Sequence, residues 1–168
     1  MSGTKHREDR MTLRYKAHPT VYRHTRFRSR LEARWAAWFD LNKIKWQYEP
    51  IDLVEWVPDF IIYFPYCPTR GPVCGMPRSL VVEVKPATSI EMLLQIIQPH
   101  LKDIIYDPNI DPAPAAFGIN PSISYYHAGS CNSEGSAFQS LDEHQCGISM
   151  DWEDTWAQAG NTVQWRKA

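Results

Sequence analysis

Leu80-Val81-Val82-Glu83-Val84-Lys85 is the stretch that decides how this chain is read. Its apolar residues are mostly β-branched, which marks a strand. Pro86, with no amide hydrogen to donate, ends it. A strand's period of two sends Leu80, Val82 and Val84 to the core and Val81, Glu83 and Lys85 to the opposite face. Glu83 and Lys85 are then neighbours, about 6–7 Å apart along the backbone. Burying either charge alone costs several kcal/mol, so something must compensate, and a bound divalent cation would do so. The plainer alternative is an exposed ion pair on an edge strand, which contributes little.

Upstream, Val57-Pro58-Asp59-Phe60 places a proline at the opening of a second strand, Asp59 to Phe64. Asp59 and Glu83 can then converge at one end of two adjacent strands, although a Pro-Asp pair also suits a turn. Two carboxylates and the backbone carbonyl of Val84 form a hard-oxygen set suited to Mg²⁺. Such an ion polarises a phosphodiester and acidifies water. Lys85 can orient or deprotonate that water, or stabilise charge developing on phosphorus. The E-x-K triplet alone is a weak signal; its strand context and the preceding Pro-Asp give it meaning.

Further upstream, Ser29-Arg30-Leu31-Glu32 has the form of a capping box. Leu31, Trp35, Trp38 and Phe39 then give one apolar helical face, and the helix should end near Leu41-Asn42. Glu32 is a third acid for the site, although capping alone accounts for it. Trp46 to Glu49 reads as a strand, and the Pro-, Gly- and Cys-bearing residues 65–79 as a loop. Thr88-Ser89-Ile90-Glu91 is a second capping-box pattern. It opens a helix from Met92 to Tyr106 that Pro99 should kink or split. Ala115 to Ile119 reads as a strand, residues 120–150 as mostly loop, Asp151 to Gln158 as a helix and Thr162 to Trp165 as a last strand. This order predicts an α/β domain with a central mixed sheet. Residues 1–20 form a basic arm and residues 21–168 a single domain.

The net charge of -1 hides an asymmetry. Residues 1–34 hold ten Lys or Arg against three acids, and residues 86–168 hold three against ten. A basic N-terminal fifth suggests phosphate contact, with Arg23, Arg26, Arg28 and Arg30 beside the Glu32 helix; a solvated tail is the alternative for the arm itself. No apolar run reaches the roughly 18 residues that span a bilayer, and the N-terminus lacks an apolar signal core, so a cytoplasmic protein without membrane contact is expected. Cys67, Cys74, Cys131 and Cys146 form no CxxC pair; free thiols fit better than a zinc site, although His144 stands near Cys146. The seven Trp and eight Tyr can fill a core or serve a protein partner.

Phe27-Arg28-Ser29-Arg30-Leu31-Glu32, Lys45-Trp46-Gln47-Tyr48-Glu49, Val57-Pro58-Asp59-Phe60 and Val82-Glu83-Val84-Lys85 together resemble the PD-(D/E)XK nuclease superfamily. Within it they most resemble the phage endonuclease I type of Holliday junction resolvase. Transposon-end-cleaving nucleases are similar too. The resemblance spans residues 22–86, about two fifths of the chain. It implies a restriction-endonuclease-like core, a mixed β-sheet flanked by helices, and two Mg²⁺ or Mn²⁺ ions. It also implies an endonuclease acting on branched or recombination-intermediate DNA, dimeric in its resolvase members, in a bacterial or phage-infected cytoplasm. By motif, Glu32 is its helical glutamate, Asp59 its bridging aspartate, Glu83 its strand acid and Lys85 its lysine. The insertion at 65–79 and the acidic half after residue 86 depart from the pattern. They leave open a DNA-nicking subunit of a transposition or phage DNA-processing complex, or a non-catalytic DNA-binding or protein-interaction module on the same fold.

Overall fold

Ser29 starts the first helix as its pattern requires. Its backbone is extended (φ -136°, ψ 159°), and its Oγ accepts the Glu32 amide at 3.1 Å. In the computed structural model, which describes residues 17–52, 57–63, 79–101, 113–126 and 152–163 (backbone alone for 97–101), this helix, α1, runs Arg30–Leu41. Its buried stripe is wider than the sequence suggests, because Ala33, Ala36 and Ala37 are buried beside Trp35, Trp38 and Phe39. The helix is covered on two sides. The Trp35 ring lies 4.8 Å from Phe117 of the sheet and 4.8 Å from Trp156 of the C-terminal helix.

A hairpin precedes α1: β1 (Thr20–Tyr22) pairs antiparallel with β2 (Thr25–Phe27). Thr20 therefore belongs to a strand and not to the arm. The turn residues Arg23 and His24 have φ of 46° and 66°, the left-handed pair that a two-residue hairpin loop demands. Asn-Gly would announce such a turn; Arg-His does not, so the sequence reading missed it. Tyr22 donates to Asp40 Oδ2 at 2.9 Å and Arg23 pairs with the same oxygen at 3.2 Å, which ties the hairpin to the last turn of α1.

The remaining strands form one five-stranded sheet in spatial order β3 (Lys45–Tyr48), β4 (Phe60–Tyr63), β5 (Ser79–Val84), β6 (Ala113–Phe117), β7 (Ser124–Tyr126). Strands β3, β4 and β5 are antiparallel neighbours, β5 and β6 are parallel, and β6 and β7 are antiparallel. A parallel neighbour needs a crossover, and α2 (Ile90–Leu101) lies in that connection. The protein is thus α/β, with a five-stranded mixed sheet and three helices among the described residues. The decisive strand, β5, is third of five and buried at all six positions, so Glu83 does not sit on an exposed edge.

Several expected boundaries move. Asp59 stands just before β4, and Ser79 opens β5 where a loop was expected. Ser89, not Thr88, caps α2, accepting the Met92 amide at 3.2 Å; the helix starts at Ile90 and continues through Pro99 without splitting. Strand β6 stops at Phe117 because the chain turns back, Gly118 donating to the Ile123 carbonyl at 2.6 Å. Strand β7 falls in a stretch whose serines read as loop. The third helix, α3 (Trp152–Thr162), passes through Gly160-Asn161, so Thr162 is helical and not the start of a strand. Gly160 has a packing reason: a Cβ there would lie 2.9 Å from Arg34 Cζ. The arm up to residue 16, most of the 65–79 loop, residues 102–106, all four cysteines and His144 lie outside the described residues, as do Gln164 and Trp165. No helix among the described residues is long and apolar enough to cross a membrane.

Gly118 admits no side chain. A Cβ there would fall 2.5 Å from Ile123 Cγ2 and 2.7 Å from the Ala87 carbonyl oxygen. Gly118→Ala should destabilise the fold by about 1–3 kcal/mol, the usual range for overpacking. Urea unfolding would show it, and an unshifted midpoint would mean that the turn relaxes freely.

Candidate active site

The β4–β5 register pairs Phe60 with Val82, and one further step brings Asp59 opposite Glu83. Directly opposed residues share a face of the sheet, with Cβ atoms about 4.5–5.5 Å apart. Asp59 is 2% exposed and Glu83 6%. By strand alternation both lie on the face opposite Phe60 and Val82, which pack in the main core with α1. Asp59 is held from the β5 side, its Oδ2 accepting the Val84 amide at 2.7 Å. Its Oδ1 accepts from Arg28 Nη2 in an ion pair, and Arg28 Nε also pairs with Glu49 at 2.9 Å. Beyond the strand end, Lys85 Nζ pairs with Glu83 Oε1.

Glu32 is fixed by three donors. Ser29 Oγ donates to its Oε1 at 2.6 Å, and Tyr48 Oη and the Arg28 amide donate to its Oε2 at 2.6 and 3.1 Å. The Ser29 half of the capping box is formed, while the Glu32 carboxylate reaches back to the amide of Arg28, one residue before the cap, and is joined by a tyrosine from β3. Tyr48 Oη also accepts the Arg28 amide at 3.0 Å, so the backbone of Arg28 is clamped while its side chain remains 54% exposed.

Burial, and then the charge of Glu83, push the Asp59 carboxyl up to about 7; Glu32 adds to this, while the Val84 amide and Lys85 oppose it. Burial alone would lower the Arg28 guanidinium, but Asp59, Tyr48 and Glu49 more than reverse that and hold it above its ordinary value. Burial, and then its bond to Glu32, raise the Tyr48 phenol and keep it a proton donor.

The structure therefore brings Asp59, Glu83, Lys85 and the backbone of Val84 together, with Glu32 nearby on α1. It does not gather the four arginines. Arg28 is in the site, Arg23 is at Asp40 in the last turn of α1, and Arg26 and Arg30 are exposed. Among the described residues no group of three or more Asp, Glu, His or Cys side chains could by itself hold a metal ion. Tyr48, Glu49 and the contact of Arg28 with Asp59 were not foreseen. The alternation of Trp46 and Tyr48 along β3 was the available clue that Tyr48 turns inward.

The cluster's charge balance bears on cation binding. The carboxylates Glu32, Glu49, Asp59 and Glu83 face the cations Arg28 and Lys85, a formal excess of two negative charges. One divalent cation would balance it. Comparison with protein-family models, with curated proteins and with solved structures finds no match to this chain.

Proposed function

We propose that this chain is a Mg²⁺- or Mn²⁺-dependent DNA endonuclease of the PD-(D/E)XK type, with a restriction-endonuclease-like core. The observation that carries this reading is the buried Asp59–Glu83 pair, opposed across β4 and β5 with Lys85 beside it. Two buried like charges on facing strands are unfavourable unless positive charge compensates them; Arg28 and Lys85 supply it here, and the formal excess of two negative charges leaves room for a divalent cation. A helix-flanked mixed sheet, and the order of the four motifs, agree with the resemblance.

Asp59 and Glu83 would hold the ion. The N–H and C=O of one strand residue point to the same neighbour, so the Val84 amide on Asp59 places its carbonyl on that side as a third oxygen. When bound, the ion supplies Lewis-acid polarisation of the phosphodiester. Lys85 is one-third exposed, which lets its ammonium reach the attacking water or the charge developing on phosphorus while Glu83 orients it. Glu32, held by its three donors, acts by fixing the start of α1 and the Arg28 backbone. The second ion expected from the resemblance has no third carboxylate ready for it among the described residues.

The test is incubation with linear, nicked, forked and four-way DNA in Mg²⁺, Mn²⁺ or Ca²⁺. Cutting should occur with the first two and poorly with Ca²⁺, whose looser coordination positions reactants less well. The panel also separates a branch-specific nuclease from one indifferent to branching. DNA binding without cutting under any ion would favour the non-catalytic module, in which Arg28 and Lys85 simply neutralise the two acids.

Lys85→Ala should lower the cleavage rate by about 10²–10³-fold, the usual cost of one preorganised charge-stabilising donor. Its affinity for DNA in Ca²⁺ should stay near wild type. A rate within twofold of wild type would remove Lys85 from the chemistry.

A further inference from the structure

Resting on the metal-site reading above, we propose that Arg28 is a positioning residue that holds Asp59 in the metal-free protein and passes to a substrate phosphate once a divalent cation takes Asp59. Both oxygens of Asp59 are engaged, Oδ2 by the Val84 amide and Oδ1 by the Arg28 guanidinium. The amide bond is part of the fold. The guanidinium bond is not, since the Arg28 side chain is 54% exposed and reaches Asp59 from the rim of the site. A cation approaching Asp59 Oδ1 meets a positive charge already seated there, so the two compete.

The backbone on either side of this exchange is fixed. The Arg28 amide is held by Glu32 and Tyr48, and the Asp59 carbonyl by the Glu49 amide at 2.9 Å. Only the long arginine side chain has to move. Glu49 keeps a hold on its Nε, so the displaced guanidinium stays at the mouth of the site. There it has the planar fork that suits a phosphate. Arg28 thus differs from Arg23, Arg26 and Arg30, none of which is seated on a carboxylate of the opposed pair.

The test uses the whole chain and two readouts other than cleavage. The first is calorimetric Mn²⁺ titration without DNA of wild type, Arg28→Gln and Arg28→Lys. Arg28→Gln should bind Mn²⁺ about tenfold more tightly, the scale of removing one charge-assisted bond, and Arg28→Lys should stay near wild type. Equal affinity in wild type and Arg28→Gln overturns the competition and leaves the metal site standing. Absence of Mn²⁺ binding in all three overturns the metal site itself. The second readout is the salt dependence of binding a short duplex, with Ca²⁺ and with chelator. In wild type Ca²⁺ should steepen the log–log slope by about one, because Arg28 then neutralises one more phosphate, and in Arg28→Gln it should not. An identical Ca²⁺ effect in both proteins overturns the transfer to phosphate. Far-ultraviolet circular dichroism of each variant confirms that the proteins compared are folded.

Discussion

Asp59→Asn should abolish Mn²⁺ binding and reduce cleavage by at least about 10³-fold. The change keeps size and keeps an oxygen for the Val84 amide, while it removes the charge and, with it, the acceptor of the Arg28 guanidinium. A dication facing Glu83 alone loses half of its charged donors, and losing one such electrostatic partner in a desolvated site costs about 3–4 kcal/mol or more. The same variant should behave differently with pH when metal is chelated. The Asp59 carboxyl is raised to about 7 in the folded protein, from an ordinary value near 4. Between those values the folded state keeps a proton that the unfolded chain has released. The group's stabilisation is therefore complete below about pH 4 and fades as pH rises through 7, by up to about 1.4 kcal/mol per pH unit. Wild type should lose stability over that window relative to Asp59→Asn, as urea unfolding at pH 5 and pH 8 in chelator would measure. Parallel pH profiles for the two proteins would show that Asp59 is ionised throughout, and unaltered Mn²⁺ affinity would move the metal elsewhere.

Trp35→Ala should cost about 3–5 kcal/mol, the range for deleting a large aromatic from a core. Trp35 is fully buried, touches Phe39, Phe117 and Trp156, and its Nε1 donates to the Gly118 carbonyl at 3.0 Å. Its loss leaves a cavity where α1, the sheet and α3 meet, and an unpaired carbonyl at the end of β6. Small domains have only about 5–15 kcal/mol of total stability, so the variant should melt far below wild type in a calorimetric scan. Trp35→Phe retains most of the volume and should recover more than half of the loss. Equal melting of Trp35→Ala and wild type would mean that the α1–α3 contact is not maintained in solution.

The parts of this molecule legible in its sequence are those governed by short-range rules. The β5 strand, the Ser29 cap and the α1 face each follow from a few neighbouring residues; β5 is shifted by one residue and the α1 face is wider than the pattern, but each element is present where it was expected. That Asp59 and Glu83 converge at one strand end was expected from the sequence; their direct opposition was not legible, because it depends on how β4 and β5 align across a connection of more than a dozen residues. The β1–β2 hairpin was hidden because Arg23 and His24 adopt left-handed backbone without the residue types that favour it. Helix α3 passes its expected end through Gly160, where Arg34, far away in sequence, packs close. Within the site, the acids and the lysine were visible as residue types. Their cationic and phenolic partners, Arg28 and Tyr48, were not, because those contacts join separate elements.

The joint between α1 and α3 has a consequence for synthesis. Arg34 donates to the Trp156 carbonyl at 2.8 and 3.1 Å across 122 positions of sequence, and its guanidinium lies 4.1 Å from the Trp156 ring centroid. Trp38 reaches Thr155 at 2.9 Å across 117. A ribosome emits about 5–20 residues per second, so the helix that carries Glu32 spends several seconds with its tryptophan face uncovered. Its cover emerges more than a hundred residues after it. A growing chain halted before Trp156 exposes that face, and its recognition by chaperones or proteases would depend on how far translation had advanced.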